Sequence, residues 1–409
     1  MSPCDLLVVS NGHGEDVIGA ALVTALQSRV PGLEVKAFPL VGVGTAYEPD
    51  AVVGPRRSLP AGGLTLHHPA LLLEDLRAGI IALTYRQLAF LRRQRPAAVL
   101  VIGDAYAQAL AALVRAPRAV LQPLVSVLQD RPLSASRLNR YFMESIRPPE
   151  RLLLSAARRV YTRDEPTAAA LRSRGVTNAV HLGNPIMDGL EAEPLIDPTD
   201  KRRGHVIALL PGSRAYACDS VALMVAAIGH LADGVAGGTP VTALVAWTAI
   251  DAPPPAPGWT EAGAVHVRPY GAGGPQPPLA GNLTSWRRGS ATVRFEREAF
   301  AAVLASADVV IGTAGTANEQ AAGLGLPVVS FPVPPYYGAA FLENQERLLG
   351  GALRVVKSSP DAIARAVSEA LIAGPHREAA RTSGPLRLGG PGGTAAVADD
   401  LAKWLGELR

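Results

Sequence analysis

Short apolar runs alternate with helical stretches along the first half of the chain, and this alternation constrains the fold more than any other feature. Continuous apolar strands separated by helices predict a parallel sheet that is covered on both faces. The first half is therefore predicted to be a doubly wound α/β domain. The apolar runs cover residues 5–10, 34–40, 97–103, 118–124, 158–163 and 178–183, and helical patterns cover 16–29, 70–93, 105–115 and 165–174.

The same pattern restarts after a polar stretch at residues 191–204, which contains two prolines and no periodicity and is predicted to be a linker. We therefore expect an α/β fold of two doubly wound parallel-sheet domains, 1–190 and 205–388, that face each other across a ligand-binding cleft. In the second half, apolar runs cover 205–213, 241–247, 307–313 and 326–331, with a helical pattern at 217–233.

Two further segments stand apart from this alternation. Residues 251–289 are rich in Pro and Gly, and we expect an irregular insertion with one short strand near 264–268. Residues 389–409 have a Gly-rich entry and a helical pattern with apolar positions at Val397, Leu401, Trp404, Leu405 and Leu408. This spacing fits docking on the N-terminal domain and fits packing on its own domain equally well.

The composition describes a folded protein that is not a general nucleic-acid binder. The chain is 48% hydrophobic and carries 39 basic against 35 acidic residues, far from the excess that nucleic acid requires. The balance is uneven, because residues 1–190 carry 21 basic and 15 acidic side chains and residues 191–409 carry 18 and 20. The N-terminal half is the better candidate for meeting an anionic surface, and a solvated arginine face is the alternative.

The two cysteines, Cys4 and Cys218, lie in different halves and predict neither a disulfide framework nor a zinc knuckle. The first residues lack a signal-peptide pattern, and no uninterrupted apolar run reaches the ~18 residues of a spanning helix. We expect a cytoplasmic protein, at most peripheral at the inner face of the cytoplasmic membrane. Helical residues 134–159 mix Arg with aromatic and aliphatic side chains, and they could meet a lipid or pack on the core.

The most specific signal lies at two strand ends in the second half, "LLPGSR" at 209–214 and "IGTAGTANEQ" at 311–320. In both, small residues end a buried strand and a helix follows, so free backbone N–H groups and the positive end of a helix dipole are expected there. That arrangement binds a diphosphate without a Walker lysine. Glu319 is placed to hold a ribose, and the alternative is a capping box with Thr316 as N-cap and Glu319 at the third helical position.

Three motifs, "LLPGSR", "GTAGTANEQ" and "HLGNPIMDGL" (181–190), resemble those of lipid-A-disaccharide synthases. The wording "SNGHGED", "YTRDEPTAAALRSRGV" and "GNPIMDGL" is more similar still to the branch of lipid-A-disaccharide synthase-related proteins. This resemblance implies a GT-B glycosyltransferase fold, a nucleotide-diphosphate sugar donor, UDP above all, and an acceptor hydroxyl such as that of a glycolipid precursor. It further implies that the nucleotide-sugar site comprises Gly212, Ser213, Arg214, Gly315, Thr316, Glu319 and Gln320.

The loop after the first strand, "SNGHGED", is the expected acceptor side of the site. His13 is a candidate general base, with Glu15 or Asp16 as a neighbouring carboxylate. In the alternative interpretation Asp16 is only the helix N-cap and Glu15 a carboxylate at the helix entrance. The glycines at 12 and 14 would let the backbone beside Asn11 approach a sugar closely.

The chain also departs from the synthase pattern. Lipid-A-disaccharide synthases carry serine near the place of His13, and Ala107 stands where their second aspartate would fall in "VIGDAYAQ" (101–108). Asp104, which is kept, becomes the second candidate base. The sequence has no Asp-x-Asp pair and no other cluster at metal-ligand spacing, so we expect neither a metal nor another cofactor.

Two other functions remain open. One is a UDP-N-acetylglucosamine 2-epimerase on the same fold, although "GTAGTANEQ" lacks the "DSGG" type of turn found in those enzymes. The other is a non-catalytic nucleotide-sugar-binding protein, which the alanine at position 107 keeps open.

Overall fold

The structure is a computed structural model that describes residues 4–57, 77, 79–130, 146–197, 204–213, 216–234, 239–249, 251–264, 281–334 and 337–408. The chain divides into two compact units, Met1–Ile186 with Pro391–Arg409, and Met187–Gly390. It therefore passes from one unit to the other twice. The first passage, between Ile186 and Met187, precedes the predicted linker at 191–204. Within that stretch the backbone N–H of Leu195 donates to Ser306 Oγ of the second unit at 2.7 Å.

The first unit is built on a parallel sheet in the order β2-β1-β3-β4-β5-β6. Every residue of β1 and β3 is buried, as their uninterrupted Val, Leu and Ile runs predict for central strands. The strands are β1 (Leu6–Ser10), β2 (Val35–Pro39), β3 (Ala98–Ile102), β4 (Arg118–Gln122), β5 (Arg159–Thr162) and β6 (Ala179–Val180).

Helices connect these strands. α1 (His13–Arg29) begins three residues earlier than its apolar pattern predicts, and the pattern at 70–93 corresponds to α2 (Ile80–Leu91), with 58–76 outside the described residues. The others are α3 (Ala105–Ala111), α4 (Pro148–Ser155) and α5 (Glu165–Ser173).

The second unit has an eight-stranded sheet in the order β14-β13-β12-β7-β8-β11-β10-β9. The pairs from β14 to β11 are parallel, whereas β11, β10 and β9 pair antiparallel at one edge. The strands are β7 (His205–Leu210), β8 (Val241–Trp247), β9 (Thr260–Glu261), β10 (Gly281–Arg288), β11 (Ala291–Arg297), β12 (Val309–Gly312), β13 (Val328–Ser330) and β14 (Leu353–Val355).

The antiparallel edge corrects the interpretation of residues 251–289 as irregular. β10 occupies eight of these residues, Gly281–Arg288, and Trp286 packs against Phe295 of β11 with ring centroids 4.6 Å apart. The strand expected near 264–268 is not formed at Ala264, and 265–268 lie outside the described residues. Glycine and proline around the segment concealed a strand whose apolar residues face a core formed elsewhere in the chain.

Among the described residues, six helices belong to the second unit, and one of them is mostly apolar. α6 (Ala217–Gly234) has a mean hydropathy of 1.2 and is long and apolar enough to cross a membrane by length and composition alone. Half of it is buried in the second unit, as in the core helix of an α/β protein. The other helices are α7 (Phe300–Ser306), α8 (Gly315–Gly323), α9 (Ala339–Leu349), α10 (Pro360–Leu371) and α11 (Pro375–Leu388).

The last helix, α12 (Gly393–Leu408), belongs to the first unit. Asp400 accepts a hydrogen bond of 2.6 Å from the Tyr161 hydroxyl, and Asp399 pairs with Arg29 at 2.5 Å. Val397, Leu401, Trp404 and Leu405 are buried, whereas Leu408 is 40% exposed. Of the two alternatives that the sequence leaves open for this helix, the structure has the one in which it packs with the N-terminal residues.

Candidate functional site

The strand order of the first sheet reverses at β1, so a switch point lies between β1 and β3. Ligands of open α/β sheets bind outside the carboxyl ends of the strands at such points. The turns that follow these two strands carry Asn11 and Asp104, and Asn11 Nδ2 donates to Asp104 Oδ1 at 3.0 Å. The structure thus brings together two predicted site residues that lie 93 positions apart in the sequence.

The helix after β1 begins at His13, with Gly12 as its N-cap at φ 135°. A left-handed φ of this kind favours glycine. His13 and Gly14 are exposed in the first turn. The interpretation of Asp16 as the N-cap is wrong, because Asp16 lies inside the helix and its N–H donates to the Gly12 carbonyl at 2.8 Å.

Asp16 is buried in a chain of hydrogen bonds that the sequence did not reveal. The Tyr47 hydroxyl donates to Ser10 Oγ at 3.0 Å, and Ser10 Oγ donates to Asp16 Oδ1 at 2.5 Å. Burial raises the pKa of Asp16 to about 6, against the lowering effects of the Ser10 hydrogen bond and of the nearby His13. Asp16 thus anchors the turn from inside the unit, while His13 is open to solvent.

Glu15 is also buried, although it lies in the first turn of the helix. Burial raises its pKa to about 7, and repulsion from Asp104 and Asp16 acts in the same direction. A carboxyl group with such a pKa can exchange a proton near neutral pH, which general acid and base catalysis needs. The proximity of Glu15 to Asp104 places three carboxyl groups around the end of β1.

Asp104 is the N-cap of α3, and its Oδ1 accepts hydrogen bonds from the N–H groups of Tyr106 and Ala107 at 3.0 and 3.3 Å. The Asn11 amide donates to the same oxygen. A structural role for Asp104 is therefore present together with its place at the switch point. Because Oδ2 takes no part in these three bonds, a hydrogen bond from a hydroxyl group to that oxygen is compatible with the cap.

Glu150 is a member of this cluster that sequence reasoning missed. It lies on α4, is 5% exposed, and its Oε1 accepts hydrogen bonds from the side-chain amides of Gln108 and Gln122 at 3.2 and 2.7 Å. Burial raises its pKa to about 7, and repulsion from Asp104 adds to the effect. A single glutamate in a mixed helix gives no sequence signal for this position.

The second sheet has its own switch point, between β7 and β12. Gly212 follows β7 at φ 84°, and a Cβ built on it would lie 3.4 Å from the Ala314 Cβ in the turn after β12. Thr313 Oγ1 donates to the Pro211 carbonyl at 3.3 Å and ties the two turns together. Ser213 is exposed beside them, and Arg214 lies outside the described residues.

α8 starts in the second of these turns, with Ala314 as its N-cap and no side-chain hydrogen bond to the cap. The backbone N–H groups of Gly315, Thr316 and Ala317 precede the first helical bond, from the Asn318 N–H to the Ala314 carbonyl. The capping-box alternative is wrong, because Thr316 is the second helical residue and Glu319 the fifth. Thr316 is exposed, Gln320 is half-buried and Glu319 is 6% exposed.

Buried side chains hold the start of α8 in place. Gln345 of α9 donates through Nε2 to the Gly315 carbonyl at 2.9 Å, and its Oε1 accepts from the Tyr337 hydroxyl at 2.7 Å. Asn318 Nδ2 and Ser330 Oγ both donate to the Gly312 carbonyl, at 3.2 and 2.6 Å. Helix N-termini held in this way are well suited to binding anions.

The described residues at the two switch points form no cluster of metal ligands. Among the described residues no group of three or more His, Cys, Asp or Glu side chains is placed to hold a metal ion. The carboxyl groups around β1 are bound instead by hydroxyl, amide and backbone N–H donors.

No family model matches the chain, and no curated protein matches its sequence. Solved structures do match along nearly all of it. The MnaA protein of S. aureus in a co-structure with UDP gives a TM-score of 0.57 at 12% identity, covering 98% of this chain and 97% of that one. MurG of Acinetobacter baumannii gives a TM-score of 0.55 at 13% identity, covering 98% of this chain and 99% of that one.

The UDP-GlcNAc 2-epimerase of Neisseria meningitidis bound to UDP-GlcNAc gives a TM-score of 0.52 at 15% identity, covering 97% and 99%. Likeness at this identity shows the fold, and the expected GT-B fold of two α/β parallel-sheet domains is confirmed. The neighbours of this chain are enzymes of that fold, glycosyltransferases and epimerases among them.

Proposed function

We propose that this protein is a glycosyltransferase that takes a sugar from a nucleotide-diphosphate donor, with UDP as the expected nucleotide. The observation that carries the proposal is the uncapped start of α8 at the switch point of the second sheet, beside the Gly212 turn and ahead of the buried Glu319. The UDP and UDP-GlcNAc in the structures of the S. aureus and N. meningitidis proteins support this ligand class.

In this proposal the donor binds the second unit. The N–H groups of Gly315 and Thr316 and the Thr316 hydroxyl bind the diphosphate, together with Gly212, Ser213 and Arg214. Glu319 accepts hydrogen bonds from the ribose hydroxyls, and Gln320 contacts the sugar. The N–H groups at the start of α8 and the Arg214 side chain neutralise the negative charge that develops on the departing nucleoside diphosphate.

Transfer also requires the acceptor hydroxyl to lose its proton. The acceptor oxygen forms a bond to the anomeric carbon as the bond from that carbon to the phosphate oxygen breaks, and the electron pair leaves with the diphosphate. His13 takes the proton, with Asp104 as the alternative base. Attack from the face opposite the leaving group inverts the anomeric carbon.

The donor site is tested by Glu319→Ala, with Glu369→Ala as the control because Glu369 is a surface carboxylate of the same unit that pairs with Arg354. Thermal shift with UDP, GDP, ADP and dTDP and their sugars identifies the base, and a ligand at 100 times its Kd stabilises the fold by about 2.7 kcal/mol. We expect Glu319→Ala to lose this stabilisation and Glu369→Ala to keep it. Unchanged binding of every nucleotide by Glu319→Ala contradicts the assigned site.

A UDP-GlcNAc 2-epimerase is the second candidate, since a protein with that activity has this fold and binds UDP-GlcNAc. The two activities separate without knowledge of the acceptor. Incubation with UDP-GlcNAc alone, followed by proton NMR of the sugar, shows an isomer or free sugar if the protein is an epimerase and an unchanged donor if it is a transferase. Binding without turnover across a broad acceptor panel indicates a non-catalytic binding protein.

A lipid-borne acceptor is the finer part of the proposal, and α2 supports it. Ile81 and Tyr85 lie one turn apart on this helix and are 69% and 74% exposed. Residues 77–95 contain five arginines and no acidic residue, and all five are exposed: Arg77, Arg86, Arg92, Arg93 and Arg95. Apolar side chains flanked by basic ones suit an anionic lipid surface, and this supports the proposal that the protein acts at the inner face of the cytoplasmic membrane.

Vesicle sedimentation tests this surface. We expect the protein to bind vesicles that contain phosphatidylglycerol more strongly than vesicles of phosphatidylcholine alone, and Ile81→Glu with Tyr85→Glu to abolish the difference. Leu386→Glu is the control, because Leu386 is 86% exposed on α11 of the other unit. If the α2 variant binds both vesicles as the unmodified protein does, α2 is not the lipid-binding surface.

A further inference from the structure

A buried polar network joins the carboxyl ends of three strands beneath the Asp104 turn. Glu150 Oε1 accepts from Gln122 at the end of β4 and from Gln108 of α3. The same Gln108 Nε2 donates to the Gly103 carbonyl at 3.3 Å, directly after β3. From Asp104 the network continues to Asn11 after β1.

We propose that Glu150 is a positioning residue for Asp104, acting through Gln108 and Gln122 to fix the Gly103–Asp104 turn against the end of β1. The inference rests on the proposed function in one respect, the part that Asp104 plays in proton transfer. The claim that Glu150 fixes the Gly103–Asp104 turn does not depend on that function, and it can be tested without measuring enzymatic activity.

The turn has little freedom of its own once this network is formed. Gly103 stands at φ 143°, and a Cβ built on it would lie 3.0 Å from the Asn11 Cβ, so the two turns are already in close contact. The Gly103 N–H donates to the Leu121 carbonyl at 3.1 Å, and the Gln108 N–H donates to the Asp104 carbonyl at the same distance. Gln108 is itself a residue of α3, and its side-chain amide donates both to Glu150 and to the Gly103 carbonyl.

The burial of Glu150 indicates that this carboxylate has a structural role beside the Asp104 turn. A buried carboxylate is costly unless its oxygens are hydrogen-bonded, and the side-chain donors to Glu150 are two neutral amides. The charged groups that act on it are Asp104, which repels it, and Arg147 at the start of its own helix, which attracts it. When Glu150 ionises, near pH 7, it therefore also adds negative charge beside Asp104.

Hydrogen exchange of the protein without ligand tests the structural half. In Glu150→Ala the two amides lose their acceptor, and we expect exchange of the N–H groups at 103–108 to rise about tenfold or more, with little change in α12. Glu150→Gln can keep both hydrogen bonds through its own Oε1, so exchange should stay near that of the unmodified protein. The matched control is Glu165→Gln, a carboxylate on the surface of the same unit. Unchanged exchange at 103–108 in a folded Glu150→Ala variant overturns the inference.

Kinetics test the consequence for catalysis. We expect Glu150→Ala to lower kcat by about tenfold to a hundredfold, because small displacements of catalytic groups have effects of that size, and to leave the KM of the nucleotide sugar within about twofold. Glu150→Gln should restore most of kcat. Its pH profile should still differ above about pH 7, where Glu150 of the unmodified protein is ionised and the glutamine is neutral.

If Glu150→Ala does not fold, Gln122→Met removes the shorter of the two bonds to Glu150 and is measured in the same way. The outcomes separate the two claims. If the unmodified protein turns over no donor, the proposed function is contradicted. Hydrogen exchange then decides by itself whether Glu150 positions the Asp104 turn. Active protein in which both Glu150 variants match Glu165→Gln in kcat and pH profile contradicts the role of Glu150 alone.

Discussion

Three carboxyl groups of the first unit are buried: Glu15, Asp16 and Glu150. Glu15 and Glu150 are both repelled by the charge of Asp104, and Glu15 is also repelled by Asp16. Burial is the largest cause of the raised pKa of each. A carboxyl group whose pKa is higher in the folded state binds protons more tightly there than in the unfolded chain. Its contribution to stability is therefore complete below about pH 4 and is lost as the pH rises towards 7.

The first prediction concerns Glu150→Gln. Since the pKa of Glu150 is raised from 4.5 to about 7 and each unit corresponds to about 1.4 kcal/mol, the variant should gain stability relative to the unmodified protein by on the order of 3 kcal/mol between pH 4 and 8. Urea unfolding at a series of pH values measures this. Glu165→Gln should show no such trend, and parallel curves for Glu150→Gln and the unmodified protein would refute the raised pKa.

The second prediction concerns the space for Tyr47. A Cβ on Gly19 would overlap the Tyr47 hydroxyl, which donates to Ser10. Gly19→Ala should destabilise the fold by about 1–3 kcal/mol, because a well-packed core does not admit an extra methyl group. Gly14→Ala is the control, since nothing lies within 4 Å of a Cβ there and the change favours the helix by up to about 1 kcal/mol. Equal unfolding midpoints for the two variants would show that Tyr47 can move aside.

At the scale of the element, the N-termini of α3 and α8 differ in whether a side chain caps them. α3 is capped by its own Asp104, whereas α8 leaves its first N–H groups without a side-chain cap. The cap residue of α8 is Ala314, with an extended backbone at φ −118° and ψ 131°, which is the conformation that a capping aspartate adopts.

The third prediction follows from this difference. Ala314→Asp should cap α8 and stabilise the fold by about 0.5–2 kcal/mol, and it should weaken nucleotide binding because the new carboxylate takes the N–H groups and repels the diphosphate. Ala299→Asp makes the same change at the uncapped start of α7 in the same unit, and it should leave binding unchanged. Calorimetric titration with the nucleotide found by thermal shift measures both. Undiminished binding by Ala314→Asp would remove α8 from the donor site.

At the scale of the whole molecule, α12 belongs to the same unit as residues 1–186, from which it is separated by the entire second unit. It packs into the first unit through Trp404 and Leu401, which are 2% and 0% exposed. Stability of the first unit thus depends on residues at both ends of the sequence.

The fourth prediction tests this dependence. Trp404→Ala should destabilise the first unit by about 3–5 kcal/mol, as expected for a buried aromatic side chain. Leu408→Ala, at a position on the same helix that is 40% exposed, should have little effect. Hydrogen exchange should rise in α1 and β5 and not in α8, whereas a uniform rise would show that the two units unfold as one.

The amino-acid sequence by itself determined the first parallel sheet, the central parallel strands of the second, the strand ends that carry Asn11, Asp104, Gly212 and Gly315, and the class of ligand that such ends favour. These are local properties, since strand runs and glycine turns are set by periodicity and by backbone conformation. The roles of the predicted site residues remain predictions.

Only the tertiary structure decided which of these strand ends meet. The hydrogen bond from Asn11 to Asp104, the burial of Glu15 and Glu150 and the packing of α12 against α1 depend on sheet order and on long-range packing. The strand β10 was missed for the same reason. Its register is set by β11 and by a core assembled from distant residues, and no window of sequence contains that information.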